Sequence, residues 1–399
     1  MIARIVTWAV EKRWLVLLLT VIVAAIGAFS LYRLPIDAVP DITNNQVQIN
    51  VRAPALSPEL VEKQVSFPIE TALAGTPGLE YTRSLSRNGF AQITAVFSDA
   101  TDIYFARQQV GERLRGVQEN LPDGVNPEMG PIATGLGEVY MYTVRLDHRE
   151  DDKHKPGEPG QQPDGSYITP EGERLTTEED KATYLRTAQD WIVTPLLKTT
   201  PGLAGVDSIG GYAKQFLVVP DVQKLASLGI TLTDLGNALE RNNTSVGGGF
   251  VNRNGEGLAV RSDALVRNAS ELARTVIATR NGVPITVEQV ATVKTGQAIR
   301  MGSASENGTE VVVGTAIMRI GENSRIVSTA VAEKLKTINA SLPPDVVIQP
   351  VLNRTELVNS TIKTVAKNLS EGAVLVIVVL FLLLGNFRAA LIAALVIPI

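Results

Sequence analysis

Two uncharged stretches divide the chain into segments of very different character. The first runs from Trp14 to Tyr32 and the second from Gly372 to Phe387. At about 1.5 Å of rise per residue, the first would form a helix of roughly 28 Å, close to the hydrocarbon thickness of a bilayer. The pattern predicts a cytoplasmic N-terminus over residues 1–13, transmembrane helices over 14–32 and 370–387, and the start of a third helix over 389–399, cut short.

A cleaved signal peptide is the alternative interpretation of the first stretch, and it fits poorly. The stretch is longer than the roughly 7–15 apolar residues of a signal core, and YRLP follows it instead of a small-residue cleavage site. Arg4, Lys12 and Arg13 precede it, and this positive charge places the N-terminus in the cytoplasm. The segment between the two spans is therefore expected in the periplasm.

Between the spans, the hydrophobic periodicity predicts a first unit of strands and helices in the order β-α-β-β-α-β. The predicted elements are a strand over 46–53, a helix from Ser57 to Gly75 kinked at Pro68, strands over 81–87 and 90–97 joined by Asn88-Gly89, a helix over 103–117, and a strand within 125–132. This order is that of the ferredoxin-like split βαβ unit, with helices on one face of an antiparallel sheet.

The same kinds of element begin again at Val139 to Leu146 and define a second unit. Residues 147–181 interrupt it; acidic residues outnumber basic ones there, which predicts a flexible insertion that buries too little to order itself. Further elements are predicted as a helix over 184–197, strands within 205–219, helical residues 225–239 restarting at 231–234, a glycine-rich hairpin over 245–260, a strand over 311–318, a helix over 324–338, a strand over 346–350, and a helix from 356. The predicted fold class is an α+β membrane protein with transmembrane helices flanking two ferredoxin-like units.

The composition removes several classes of function. The 399 residues carry a formal net charge of -4 and include no cysteine and two histidines. There is no disulfide framework, no thiolate metal site and no basic cluster for nucleic acid. We find no plausible nucleophile–base pair for covalent catalysis. A metal site in this chain would depend mainly on oxygen ligands.

Several long motifs resemble one transporter family. RLPIDAVPDI follows the first span, and GTPGLEYTRSLSRNG, MGPIATGLGEVY and IGENSR come after it in order. They resemble the heavy-metal efflux branch of the resistance–nodulation–division (RND) family, of the cobalt–zinc–cadmium and copper–silver type. The resemblance covers essentially the whole chain except residues 147–181, and identifies it as the N-terminal portion of such a protein.

The resemblance implies a trimeric secondary active transporter, a cation/proton antiporter and not an enzyme, in the inner membrane of a Gram-negative bacterium. It implies a periplasmic adaptor and an outer-membrane channel as partners, and no cofactor beyond the transported divalent ion. It assigns a first porter subdomain to 35–132, a second to 133–210 plus 300–355, and a docking subdomain to 211–299. The family's proton-carrying carboxylates lie beyond Ile399, so this chain supplies one half of the periplasmic cleft and lacks the proton relay.

Glu138 is the candidate metal ligand. Strand alternation places it on the same face as Tyr140 and Tyr142, and the resemblance implies that this strand lines the cleft, with Glu in members that export divalent cations. A carboxylate suits Zn²⁺, Co²⁺ or Ni²⁺ better than Cu(I) or Ag(I). The alternative is a solvated acid at the end of a strand.

Other candidate residues carry weaker hypotheses. His148 and His154 form either a flexible cation trap or, as we favour, an ordinary solvated loop. Gly247, Gly248 and Gly249 lack the Lys-Ser/Thr of a phosphate-binding loop; the resemblance implies instead a docking hairpin that reaches a neighbouring protomer. Asp37 and Asp41 are interpreted as interfacial polar residues.

Two alternative functions stay open on the sequence. Within the same family, the protein could export Cu(I), Ag(I) or organic solutes. A different class is a two-span, membrane-anchored periplasmic sensor, which fits the number of complete spans. The unfinished third span and the lack of a cytoplasmic output domain weigh against the sensor.

Overall fold

The computed structural model describes residues 2–33, 43–147, 155–253, 256–263, 265–280, 282–300, 302–384 and 388. Helices α1 (Ile2–Glu11) and α2 (Arg13–Arg33) come first. Helix α2 covers the first predicted span, and most of its described apolar side chains are exposed. Asp37, Asp41, His148, His154 and the predicted third span over 389–399 lie outside the described residues.

The first unit contains the elements that the sequence pattern predicts. These are β1 (Gln46–Arg52), α3 (Pro58–Val61), α4 (Phe67–Leu73), β2 (Leu79–Arg87), β3 (Phe90–Phe97), α5 (Ile103–Val117) and β4 (Asn126–Met129). The strands form an antiparallel sheet in the order β2-β3-β1-β4. Alternate residues of β1, such as Val47, Ile49 and Val51, are fully buried beneath α4 and α5. Burial of this continuous apolar face is the main force that holds the unit together.

Local signals fix the first helical segment of this unit. The side chain of Ser57 accepts a hydrogen bond from Leu60 N, and Pro58 occupies the first turn, as predicted. A π-helical segment, Glu62–Ser66, joins α3 to α4 just before Pro68. Because proline has no N–H to donate to the carbonyl one turn earlier, the widened turn accommodates it. Where the sequence predicts a kink, the structure thus has a π segment directly before Phe67.

The second unit begins with β5 (Glu138–Leu146), and the inserted segment follows. Short strands β6 (Gly160–Gln161), β7 (Tyr167–Ile168) and β8 (Arg174–Leu175) pair in the order β6-β7-β8. The prediction that this insertion fails to order itself is wrong for residues 155–181. Tyr167 is fully buried and Leu175 nearly so, both in the core of the second unit. These two apolar side chains anchor a segment whose average composition is polar.

The chain then completes the second unit around a further insertion. The helices are α6 (Glu178–Ala188), a π segment (Gln189–Val193) and α7 (Thr194–Leu197), followed by β9 (Leu203–Ile209). The insertion holds β10 (Lys214–Pro220), α8 (Val222–Leu228), α9 (Leu232–Asn242), β11 (Ser245–Arg253), β12 (Glu256–Asp263), α10 (Ala269–Ala273), β13 (Val276–Arg280), β14 (Val283–Thr286), α11 (Val287–Val290) and β15 (Ala291–Gln297). Strands β10 and β15 pair, and Leu225, Leu235 and Val287 belong to a small core of their own.

After the insertion come β16 (Ala304–Glu306), β17 (Thr309–Met318), α12 (Ser324–Ser341), β18 (Val346–Asn353) and α13 (Arg354–Leu384). The second sheet has the order β16-β17-β5-β18, with β9 also paired to β17, and its ladders are antiparallel. If β16 is left aside, the second sheet has the order β9-β17-β5-β18. In both sheets the strands therefore lie in the order second, third, first and fourth along the chain. Among the described helices, only Arg354–Leu383 is long and apolar enough to cross a membrane.

Candidate functional site

A tight loop over residues 130–137 joins the two units and leads to Glu138. Arg107 of α5 donates from Nη1 to Gly130 O at 2.7 Å, which ties the start of the loop to the first unit. At the other end Gly137 N donates to Thr134 O at 3.0 Å, and Gly137 O accepts from Met318 N at 2.7 Å. A Cβ on Gly137 would lie 3.0 Å from Thr134 O and 3.1 Å from Met318 O. The close approach of these chains therefore favours glycine directly before Glu138.

Glu138 is the first residue of β5 and is exposed to solvent. It pairs with Ile317 of β17, and the register shifts between this pair and the next, Ala316 with Tyr140. Because of this irregularity, Val139 and Tyr140 both join the core of the second unit. The strict alternation predicted from sequence is therefore wrong at the start of the strand, although Tyr140, Tyr142 and Val144 share the core face.

The start of α13 contacts the chain before Glu138, and a residue of α12 contacts the chain after it. Arg354 donates from Nη1 to Leu136 O at 2.7 Å. On the other side, the hydroxyl of Ser328 lies 3.3 Å from Val139 O and 2.9 Å from Oδ1 of Asn353, the last residue of β18. Helix α13, which is long enough to span a membrane, thus begins against the backbone that carries Glu138.

Beside this entry to the strand, Tyr140 is 3% exposed. Burial raises the pKa of its hydroxyl, and the nearby carboxylate of Glu356 raises this pKa further. Tyr140 therefore stays protonated and neutral at physiological pH.

The described residues contain no group of three or more His, Cys, Asp or Glu side chains that could hold a metal ion. A single exposed carboxylate can still supply one oxygen ligand to a divalent cation. The structure thus offers one possible metal ligand, the carboxylate of Glu138, at the firmly held first residue of β5. His148 and His154 lie outside the described part of the chain, so the cation-trap hypothesis stays a prediction.

The glycine cluster lies in the hairpin formed by β11 and β12. The register of the two strands shifts between Gly247 and Phe250, and Gly249 has φ +85°. No atom lies within 4 Å of a Cβ built on Gly247 or Gly249, and Phe250 is 80% exposed. The cluster thus lies on an open hairpin, well apart in sequence from Glu138, and the structure does not bring the two together.

The sequence pattern of the AcrB/AcrD/AcrF family matches residues 5–399. The chain belongs to the AcrB/AcrD/AcrF family. This is a family of transporters, and relatives with metal-resistance names confirm the resemblance to its heavy-metal efflux branch that the motifs predict.

Among the family's curated members, the chain is 58% identical over 401 residues to the nickel-cobalt-cadmium resistance protein NccA of Alcaligenes xylosoxydans xylosoxydans. It is 56% identical to the nickel and cobalt resistance protein CnrA, and 49% identical to the cobalt-zinc-cadmium resistance protein CzcA, both of Cupriavidus metallidurans. In these comparisons all of this chain is covered, but only 36–37% of the length of each relative.

A family member of known structure has the same fold. The crystal structure of a heavy metal efflux pump, crystal form II, is 32% identical with a TM-score of 0.82, and the match covers 99% of this chain and 36% of that one. The RND transporter fold predicted from sequence is therefore shown for the length of this chain.

Sequence reasoning missed the residues that hold the entry to β5. Arg354 and Leu136 are 218 positions apart, and Ser328 is 189 positions from Val139. The one available signal was the pair Asn353-Arg354, polar residues between a strand and an apolar helix.

Proposed function

We propose that the protein exports divalent heavy-metal cations, of the nickel, cobalt, zinc and cadmium type. The observation that carries this proposal is the identity of 49–58% with relatives whose names specify resistance to these metals. Identity falls to 34% with the cation efflux protein CusA of Escherichia coli. Because this chain corresponds to little more than a third of each relative, the activity belongs to the complete transporter.

The two sheets and the insertion correspond to one half of the periplasmic portion of such a transporter. We assign the first unit, and the second with its sheet of β5, β9, β17 and β18, to two ferredoxin-like porter subdomains. The matching strand orders support this assignment. The segment 211–299, with its separate core, is assigned to the docking subdomain.

The setting is the inner membrane of a Gram-negative bacterium, with these units in the periplasm and α2 and α13 in the bilayer. The transporter works as a homotrimer with a periplasmic adaptor and an outer-membrane channel, driven by inward proton flow. The described interior of α13 from Gly372 to Leu384 carries no ionisable side chain, whereas membrane proton relays require them. We therefore place the relay in other parts of the transporter.

Within this function, Glu138 contributes one ligand to a transient metal site in the periplasmic cleft. Its support is the chemistry of a carboxylate, its exposure, and the rigid backbone around it. The remaining ligands come from parts of the transporter beyond the described residues. The metal is cargo and is released, so an incomplete ligand set on one wall of the cleft suits transport.

The experiment expresses the complete gene in a metal-sensitive bacterial strain and measures growth in Ni²⁺, Co²⁺, Zn²⁺, Cd²⁺, Cu⁺ and Ag⁺. We expect resistance to the first four ions, and its loss in Glu138→Gln. The matched control is Glu128→Gln, an exposed strand carboxylate ten positions earlier. Resistance to Cu⁺ or Ag⁺ alone would select the soft-metal alternative, and unchanged tolerance in Glu138→Gln would remove Glu138 from the site.

A further inference from the structure

The first residue of helix α13, Arg354, is bonded to the turn that leads into Glu138. Arg354 donates a charged hydrogen bond of 2.7 Å to Leu136 O, two residues before Glu138. Hydrogen bonds from charged donors are roughly twice as strong as neutral ones. Arg354 is half-buried, so water competes with this bond less than it would at a fully exposed site.

The same short region is restrained from its other sides. Gly137 exchanges backbone hydrogen bonds with Thr134 and Met318, and the hydroxyl of Ser328 lies between Val139 O and Asn353. Asn353 Oδ1 also accepts from Thr355 N in the first turn of α13. The backbone on either side of Glu138 therefore contacts the first turn of α13 or residues bonded to it.

We propose that Arg354 is a positioning residue: it fixes the Leu136–Glu138 turn against the start of α13, and so sets the orientation of Glu138 toward the transported divalent cation. This inference rests on the proposed function, because it presumes that Glu138 is a ligand. Arg354 itself does not touch the metal. Its role is that of an outer partner that orients a ligand, a kind of contact whose loss commonly weakens metal affinity roughly 10- to 100-fold.

A purely electrostatic role of Arg354 predicts the opposite sign. Removal of a positive charge near a cation site lowers repulsion and tightens cation binding. Loss of positioning leaves Glu138 to sample unproductive orientations and weakens binding. The direction of the change in Kd therefore separates the two roles.

The experiment measures Ni²⁺ binding by calorimetry on the purified full-length transporter, in Arg354→Met, Arg354→Lys, Glu138→Gln and the double variant Glu138→Gln/Arg354→Met. Lys363→Met is the matched control, since Lys363 is an exposed cation on the same helix. We expect Arg354→Met to raise the Kd about tenfold, and Arg354→Lys to raise it less because a cationic donor remains. In the Glu138→Gln background, Arg354→Met should cause no further change.

Hydrogen exchange of the segment 134–140 supplies a second readout, independent of metal. It should be faster in Arg354→Met and unchanged in Lys363→Met, with the oligomeric state preserved by size-exclusion chromatography. The positioning role would be overturned if Arg354→Met left hydrogen exchange unchanged or lowered the Kd. It would also be overturned if Arg354→Met raised the Kd equally with Glu or Gln at position 138. An unchanged Kd in Glu138→Gln alone would instead remove the metal site of the proposed function, and the inference with it.

Discussion

Gly314 in β17 leaves the space that a buried tyrosine ring occupies. It pairs directly with Tyr142 of β5, and Tyr142 is fully buried. A Cβ on Gly314 would lie 2.2 Å from Cζ of Tyr142 and 2.5 Å from Cε2. These distances are far inside van der Waals contact, so Gly314→Ala must displace the ring or separate the strands.

The cost has two parts. Overpacking of a well-packed core typically costs about 1–3 kcal/mol. The hydroxyl of Tyr142 also accepts a hydrogen bond of 3.1 Å from Nε2 of the fully buried Gln189, and its loss adds about 0.5–1.5 kcal/mol. We therefore expect Gly314→Ala to destabilise the second sheet by about 2–4 kcal/mol.

Native-state hydrogen exchange of the β5 and β17 amides measures this effect in the full-length protein. A loss of about 2–4 kcal/mol accelerates exchange through the opened state about 30- to 1000-fold. Gly116→Ala on α5 is the control, because no atom lies within 4 Å of its Cβ position, and alanine is the better residue within a helix.

The decisive comparison repeats Gly314→Ala in a Tyr142→Leu background. Leucine lacks the ring atoms that meet the new methyl group, so the two substitutions should be strongly non-additive. If Gly314→Ala were equally destabilising with tyrosine or leucine at position 142, the steric explanation would be wrong.

Three further predictions concern the insertions. Thr231→Ala should cost about 1 kcal/mol, seen as faster exchange in α9, because its hydroxyl accepts from Asp234 N in a capping box; unchanged exchange would contradict this. Hydrogen bonds from Thr231 lower the pKa of Asp234 in the folded protein. The ionised carboxylate therefore stabilises the fold above the unfolded pKa of about 3.9, and this stabilisation is lost as the pH falls through the lowered folded pKa. Asp234→Asn should abolish this pH-dependent part of the free energy of unfolding. Tyr167→Phe removes the bond of 2.8 Å to Pro344 O and should hasten proteolysis within 155–181, whereas Tyr104→Phe, at an exposed position, should not.

Elements with local signals could be predicted from the sequence almost to the residue. Asn88-Gly89 sets a two-residue turn, with Gly89 at φ +67°, and β3 has the predicted bounds Phe90–Phe97. The restart at Thr231 is likewise the cap of α9. Such signals act within a few residues, so they need no knowledge of the rest of the fold.

Features that depend on distant contacts could not be predicted in this way. The insertion over 147–181 looked unable to order itself on composition. Within its described residues, however, Tyr167 and Leu175 lie in the core of the second unit, and Tyr167 donates a hydrogen bond to Pro344 O, 177 positions away. Glu138 was recognised through family resemblance. The residue that holds its backbone, Arg354, was missed because a single long-range hydrogen bond leaves no periodic trace in the sequence.

The two units repeat more than their strand order. In each, the helix after the first strand contains a π segment, Glu62–Ser66 or Gln189–Val193, and a proline lies two residues after the segment ends. Proline cannot donate to the preceding turn, so the same sequence feature has the same structural solution twice.

The units differ in the connection that leaves their last strand, and this difference bears on how α13 can act. The first unit ends in the loop 130–137, which carries the chain to Glu138. In the second unit, β18 ends at Asn353 and α13 begins at Arg354 with no residue between them, and β18 is also paired to β5 along its length. A displacement of α13 therefore has no flexible linker to absorb it. The contacts that such a displacement would disturb first are the pairing of β18 with β5, which reaches Tyr140, and the hydrogen bond from Arg354 to Leu136 O, on the other side of Glu138.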